Sequence, residues 1–454
     1  MFVKKTIVTA LSLSLAFAAN ADEASDLKEM KEILAKQQAQ IETLNKQIKE
    51  QETANKEAVA QYVKTEVDNA MKSQKSLLGL GKHISALKFS GDLRLRYQRE
   101  NDFSEDGSKA VAAGQHSRDR FRQRLRIGME WTSKDENWTV GTRLASGSAD
   151  GRSTNDTYGD ESGMQAYEHG DIRIDLAFAR MNLSQKEDDF YSALTMGQQK
   201  NPYLSSFIFT DGDLNPIGVT YQYNVFTGGN ADMKVEERQS WFNTFGVYTV
   251  DHRNSGRETN DIVVVQGQTG YRGDLGVIAL GYAHYNDGIR DTNLDGDKVD
   301  SADIKDPDYG YNIVDAYGEL KAWEDGANSI KLLGHVGYNL SASGDSTQTG
   351  VSEAAGMKFG EGLAYYGAIE GKFGDFKASY GWAHVEADSL PQFMLDSDFA
   401  HGASNYQGHV FKLAYNISKN LEIGGTALLA KTIEENTSQI GERDLYQLDL
   451  VWKF

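Results

Sequence analysis

RDRFRQRLRIGMEW, residues 118–131, is the stretch on which the reading of the chain turns. Taken in alternation, it places Arg118, Arg120, Arg122, Arg124 and Arg126 on one side. Phe121, Leu125, Ile127, Met129 and Trp131 fall on the other, interrupted only by Asp119 and Gln123. Successive side chains of a β-strand point to opposite faces, so the segment reads as a strand with one cationic and one apolar face. In a soluble sheet the apolar face meets a core and the arginines meet bulk water. In a membrane barrel the apolar face meets lipid and the arginines line a wet lumen. Both readings fit this stretch, and the rest of the chain separates them.

The chain has 454 residues, no cysteine, four prolines, 45 glycines and a formal charge of −19. Its length permits several soluble domains or one large barrel. The absence of cysteine excludes disulfides, thiolate metal sites and cysteine nucleophiles. Residues 1–21 run from a cationic start at Lys4 and Lys5, through an apolar centre over 6–18, to the small-x-small site Ala19-Asn20-Ala21. That pattern predicts a secretory signal peptide, too short to anchor a membrane. Its removal takes both lysines and leaves −21, a field that disfavours nucleic acid. No later run approaches the ~20 apolar residues of a helical span.

Residues 26–72 contain neither glycine nor proline. Leu27, Leu34, Ile41, Ile48, Asn55 and Tyr62 occupy heptad position a; Met30, Gln37, Leu44, Gln51 and Ala58 occupy d. So narrow a seam predicts a coiled coil within 22–72, and the helix needs partners. Residues 73–86 read as a linker.

From Leu87 to Phe454 sixteen alternating segments follow, with turn residues between them. Short connections, near Lys134-Asp135, Lys186-Glu187, Gly228-Gly229, Gly273, Asp325-Gly326, Gly374 and Lys419, alternate with long ones. The long ones cover 104–117, 147–170, 200–215, 251–259, 287–310, 342–360, 389–405 and 435–441, and hold or border all four prolines. Loops sorted by end in this way predict an up-and-down, 16-stranded antiparallel transmembrane β-barrel over 87–454, all-β apart from the helix before it. The even strand count places both ends of the barrel on one side. The final segment, ERDLYQLDLVWKF (442–454), sets Tyr446, Leu448, Leu450, Trp452 and Phe454 on one face. Trp131, Trp138, Trp323 and Trp452 fall beside short turns or the C-terminus, as an interfacial belt requires. Trp241 and Trp382 do not.

FSGDLRLRYQRE (89–100), RDRFRQRLRIGMEW (118–131) and the terminal YQLDLVWKF together resemble the "putative porin" family of Gram-negative outer membranes that carries an N-terminal coiled coil. The arginine alternation is also similar to the phosphate-selective porins, and the helix-then-barrel plan to trimeric sugar porins. The resemblance implies an outer-membrane channel, a homotrimer joined through the coil, and a helix in the periplasm.

A sixteen-strand barrel leaves an aqueous channel, so function rests on the residues that narrow and charge it. Arg94 and Arg96 share a face, and so do Arg122, Arg124 and Arg126; Arg120 reaches toward the rim, and Arg143 and Arg173 extend the wall. An arginine facing lipid at mid-depth costs ~2–4 kcal/mol, which turns this wall inward. Arg180 breaks the alternation of its strand and calls for a bulge or a rim position. General porins fold their third long loop into the lumen. By that resemblance residues 201–218 bring Asp211 and Asp213 to face Arg122, Arg124 and Arg126, while Phe207 and Phe209 pack the loop to the wall. Such a field favours small polar solutes, and the excess of arginine favours anions.

Asp291, Asn293, Asp295 and Asp297 with Gly296 match the first half of a Ca²⁺ loop, although Ala302 stands where its bidentate Glu belongs. A solvated acidic turn fits as well. No nucleophile–base motif is present and the histidines lack metal-ligand spacing, so no enzyme is expected. The reading is passive diffusion of small hydrophilic solutes and ions, anions preferred. A channel selective for phosphate or a sugar, and a tether between outer membrane and cell wall, are the rival readings.

Overall fold

The computed structural model describes residues 84–454 apart from 104–116, 148–150, 160–169, 185–188, 230–232, 252–261, 286–310, 343–360 and 434–440, together with ten residues between 35 and 65. Those ten are helical. The chain divides into two units, Met1–Lys82 and His83–Phe454. The expected signal peptide, most of the coiled coil and the acidic loop with Asp291, Asn293, Asp295 and Asp297 lie outside the described residues.

The second unit is a wall of strands: β1 (Ile84–Phe103), β2 (Ser117–Ser133), β3 (Trp138–Ser146), the two-residue β4 (Asp156–Thr157), β5 (Ile172–Asn182), β6 (Phe190–Gln198), β7 (Ile217–Phe226), β8 (Ser240–Asp251) and β9 (Ile262–Gly273). It continues through β10 (Gly276–Tyr285), β11 (Asn312–Asp325), β12 (Asn328–Asn339), β13 (Leu363–Phe373), β14 (Phe376–Val385), β15 (Tyr406–Asn416), β16 (Leu421–Thr432) and β17 (Glu442–Lys453). Each long strand pairs antiparallel with its neighbours in sequence, and β17 pairs back onto β1 from Asp92↔Lys453 to Phe103↔Glu442. Sixteen long strands therefore close on themselves and leave no edge. β4 lies outside that ring and pairs with β2 at Arg122↔Thr157. Among the described residues no helix is long and apolar enough to cross a membrane.

Burial decides between the soluble and membrane readings of 118–131. Phe121 is 64% exposed, whereas Arg122 and Arg124 are each 9% exposed. The same inversion runs around the wall: Ile172, Ile174, Ile278, Leu280, Leu332, Phe411 and Leu448 face out, while Arg96, Gln98, Glu100, Thr195, Thr220, Gln268 and Gln447 are buried. In water such an outside would aggregate. In hydrocarbon it is the solvated face.

Several details differ from the sequence reading. β1 begins at Ile84, inside the stretch read as linker. The connection after β7 spans 227–239 and carries a 3-10 turn (Val235–Glu237), so it is not tight. Trp241 joins the aromatic belt after all: it is exposed at the start of β8 and its ring lies 4.9 Å from that of Tyr271. Arg180 has its explanation in a register shift of the β3–β5 ladder, where Arg143 pairs with Leu176 and Leu144 with Ile174. The unpaired residue, Asp175, makes a bulge. Asp175 and Leu176 are both buried, so the alternation reverses there and Arg180 turns inward to Thr195 Oγ1 and Gln222 Oε1.

Candidate functional site: loops against an arginine wall

The segment between β6 and β7, residues 199–216, crosses the interior, and its anchors can be followed in order. The Tyr203 hydroxyl donates to the Gln266 carbonyl at 3.0 Å and receives the Tyr248 hydroxyl at 3.1 Å. Leu204 exchanges two hydrogen bonds with the Gln268 amide, each 2.9 Å. The Ser206 N–H donates to His335 Nδ1 at 3.1 Å, and His335 Nε2 faces Asp315 Oδ2 at 3.2 Å. Phe209 stacks on the His335 ring with centroids 3.6 Å apart. It fits there because β12 carries Gly337, where a Cβ would come within 2.4 Å of the Phe209 ring. Phe207 packs edge-on against Tyr366 and Phe399, with Lys412 Nζ 4.6 Å above its ring. Phe207 and Phe209 thus hold the loop to the wall, as aromatic residues in an otherwise polar loop suggest.

A second segment, residues 386–405 between β14 and β15, also turns inward. Leu390, Leu395, Phe399 and Ala400 are buried with Ile208 and Phe209 in one cluster, backed by Tyr285, Tyr311, Val385 and Tyr406. The two segments are tied by the Asp211 N–H to the Met394 carbonyl at 2.8 Å and the Ser397 N–H to Asp211 Oδ2 at 2.9 Å.

On the other side stand the arginines. Arg94 lies opposite Arg124, and Arg96 opposite Arg122, across the β1–β2 ladder. Like charges so placed repel, and the structure answers with carboxylates. Arg96 grips Asp449 through Nε (2.7 Å) and Nη2 (2.8 Å) and reaches Asp398 through Nη1 at 3.1 Å. Arg124 Nη2 and Arg126 Nε share Asp92, at 2.8 and 2.6 Å. Asp213 comes down from the crossing loop to within 3.5 Å of Arg126 Nη1 and 4.0 Å of Arg124 Nη1. Arg122 has neutral acceptors, Gln98 Oε1 at 3.2 Å and Ser153 Oγ at 3.3 Å, and Arg94 donates to Asn155 Oδ1 at 2.5 Å. Arg120 pairs with Glu100 and Arg143 with Asp175. Arg173 sits at the exposed margin on Asp171 and the Gly147 carbonyl.

The crossing loop therefore brings Asp213 to Arg124 and Arg126, but not Asp211. That carboxylate accepts instead from the Asp213 and Ser397 N–H groups. Burial pushes it up to about 6 against the pull of those two donors, helped by the charges of Asp213 and Asp398. Burial also pushes Asp396 up to about 8, with Asp398 and Asp211 adding to it. Burial works against the Asp398 carboxylate too, yet Arg96, Gln447 and Arg122 together hold it below the usual range.

Sequence reasoning missed Asp92, Asp398, Asp449, Ser153 and Asn155. Asp92 and Asp449 were accessible to it: each falls on the inward alternation of its own strand. Asp398, Ser153 and Asn155 depend on the paths of two loops, which alternation does not specify. The periplasm-side end expected for the barrel carries more cations: Lys331, Lys372, Lys377 and Lys412, with Glu370, Glu422 and Asp449, line a cavity of about 460 Å³ on the inner wall of β12–β17.

A family profile described as "Putative porin" matches residues 107–276 and 343–454. Solved structures with a similar wall include a triple mutant of the Rhodopseudomonas blastica porin, 12% identical with a TM-score of 0.41, covering 81% of this chain and all of that one. Another is OprB of Pseudomonas putida, 8% identical with a TM-score of 0.49, covering 81% of this chain and 94% of that one. No curated protein matches the sequence.

Proposed function

The chain belongs to this porin family, and from that premise we propose an outer-membrane channel that passes small hydrophilic solutes and ions by passive diffusion and prefers anions. A porin is a channel and not an enzyme. One observation carries the proposal: a loop crosses the interior and holds Asp213 against Arg124 and Arg126, inside a wall whose outer face is apolar. Opposed charges across a narrow wet passage orient water and polar solutes and penalise apolar ones. The anion preference is supported by guanidiniums whose hydrogen bonds go to neutral acceptors and by the lysines of β12–β15.

Assembly as a homotrimer with the N-terminal coil in the periplasm belongs to the same proposal and is supported by the a/d seam of 26–72. Purified protein in planar bilayers under a salt gradient tests the function. Discrete conducting steps with a reversal potential displaced toward the anion side are expected. Barrels that insert without conducting overturn it.

A further inference from the structure

The arginine wall has a deficit. Arg94, Arg96, Arg122, Arg124 and Arg126 bring five positive charges together, and the carboxylates paired to them are Asp92, Asp213, Asp398 and Asp449. The shortfall falls on particular residues. Arg96, Arg124 and Arg126 each hold carboxylates, whereas the hydrogen bonds of Arg94 and Arg122 go to Asn155, Gln98 and Ser153. A guanidinium has five donors. Among the described residues Arg94 Nε and Arg122 Nε are buried without any acceptor. A buried cation whose hydrogen bonds reach no carboxylate is costly even with acids nearby, and burial of an unsatisfied donor adds to that.

We propose that Arg94 and Arg122, with Ser153 and Asn155, form a binding site for one small oxyanion, a phosphate, sulfate or carboxylate group. The planar fork of a guanidinium matches two oxygens of such a group, and two forks on neighbouring strands can hold it from two sides. The site is built rather than incidental. Asn155 and Thr154 are buried, Thr154 Oγ1 is fixed on Asp213 Oδ2 at 3.0 Å, and β4 pairs directly with Arg122. The segment 151–157 is therefore held over the two arginines by both the wall and the crossing loop. Neutral acceptors at Gln98, Ser153 and Asn155 orient the forks without cancelling their charge. The same inventory separates this pair from Arg120 and Arg143, which have carboxylates of their own.

The site deepens the channel reading, so binding and conduction are measured separately. Titration calorimetry on the detergent-solubilised full chain, with inorganic phosphate, sulfate and acetate in a chloride background, reads binding alone. Chloride conductance in planar bilayers, with the same three anions added, reads access. Saturable binding and saturable block by at least one oxyanion are expected, and the tightest names the source. Arg94→Gln and Arg122→Gln should each raise the half-blocking concentration by about tenfold or more. Arg122→Lys, which keeps charge and loses the fork, should fall between. Arg99→Gln, exposed on the outer side of β1, should match wild type. Heats indistinguishable from dilution for all three anions, or block unchanged in both Gln variants that still conduct chloride, overturn the site while leaving the channel intact. A wild type that binds oxyanion but never conducts supports the site and overturns the channel.

Discussion

β2 and β10 stand in the same wall and point outward in the same way: Phe121 and Ile127 on one, Ile278 and Leu280 on the other, all exposed. Their inner faces have nothing in common. β2 turns Arg122, Arg124 and Arg126 inward; β10 turns Val277, Ala279, Ala283 and Tyr285 inward, each buried. A strand apolar on one face has lipid outside and water inside. One apolar on both faces has lipid outside and protein inside, as in any sheet covered on two sides. The protein inside β10 and its neighbours is the crossing loop and residues 386–405. Part of the interior is thus occupied by packing, and the passage proposed above follows the arginine side.

The largest test of this contrast is Phe209→Ala. Removing a buried phenyl group costs ~3–5 kcal/mol, here from the stack on His335. Loss of that anchor should free the loop, raise single-channel conductance and lower the thermal midpoint. Unchanged conductance and melting would mean that the packed half does not hold the loop. Leu280→Arg comes next. It puts on the outside of β10 the side chain that β2 carries inside, at ~2–4 kcal/mol if mid-depth in lipid. Urea titrations of folding into liposomes should show that loss, and a neutral result would argue that β10 does not face hydrocarbon.

Asp213→Asn should be milder. It withdraws a charge from Arg124 and Arg126 without removing Asp92, so the fold stays and the reversal potential moves further toward the anion side. A shift toward cations would place the passage away from the arginine half.

A further test is in pH. Asp396 has its carboxyl raised from 3.8 to about 8, so the unfolded chain ionises first. Stability is full below 3.8, falls as pH rises between the two values, and stays reduced above 8. Asp396→Asn keeps an acceptor for the Asp398 and Phe399 N–H groups and removes the charge. Its thermal midpoint should exceed wild type at about pH 9 and match it at about pH 4.

The strands were legible because lipid on one side and water on the other enforce an alternation that turn residues then punctuate. The bulge at Asp175 was half legible: Arg180 out of step announced a defect without locating it. The arginine wall could be read from alternation alone, and so could Asp92 and Asp449. The partial neutralisation of that wall could not, because Asp398 and Asp213 arrive on loops whose course is fixed by packing on distant strands. β10 offered a clue to that packing, since GVIALGYAHY (276–285) has no hydrophilic face to give to a pore.

Phe454 exchanges hydrogen bonds with Gly91, N to O at 3.1 Å and O to N at 2.8 Å. A Cβ on Gly91 would sit 2.6 Å from the Phe454 ring, so the seam closes around a missing methyl group. Its two lips lie far apart in the sequence. Until β17 is in place between them, β1 and β16 each keep an open flank able to recruit strands from other chains. A Gly91→Val substitution would leave that seam ajar, and its mark would be clumped, protease-sensitive precursor rather than an altered current.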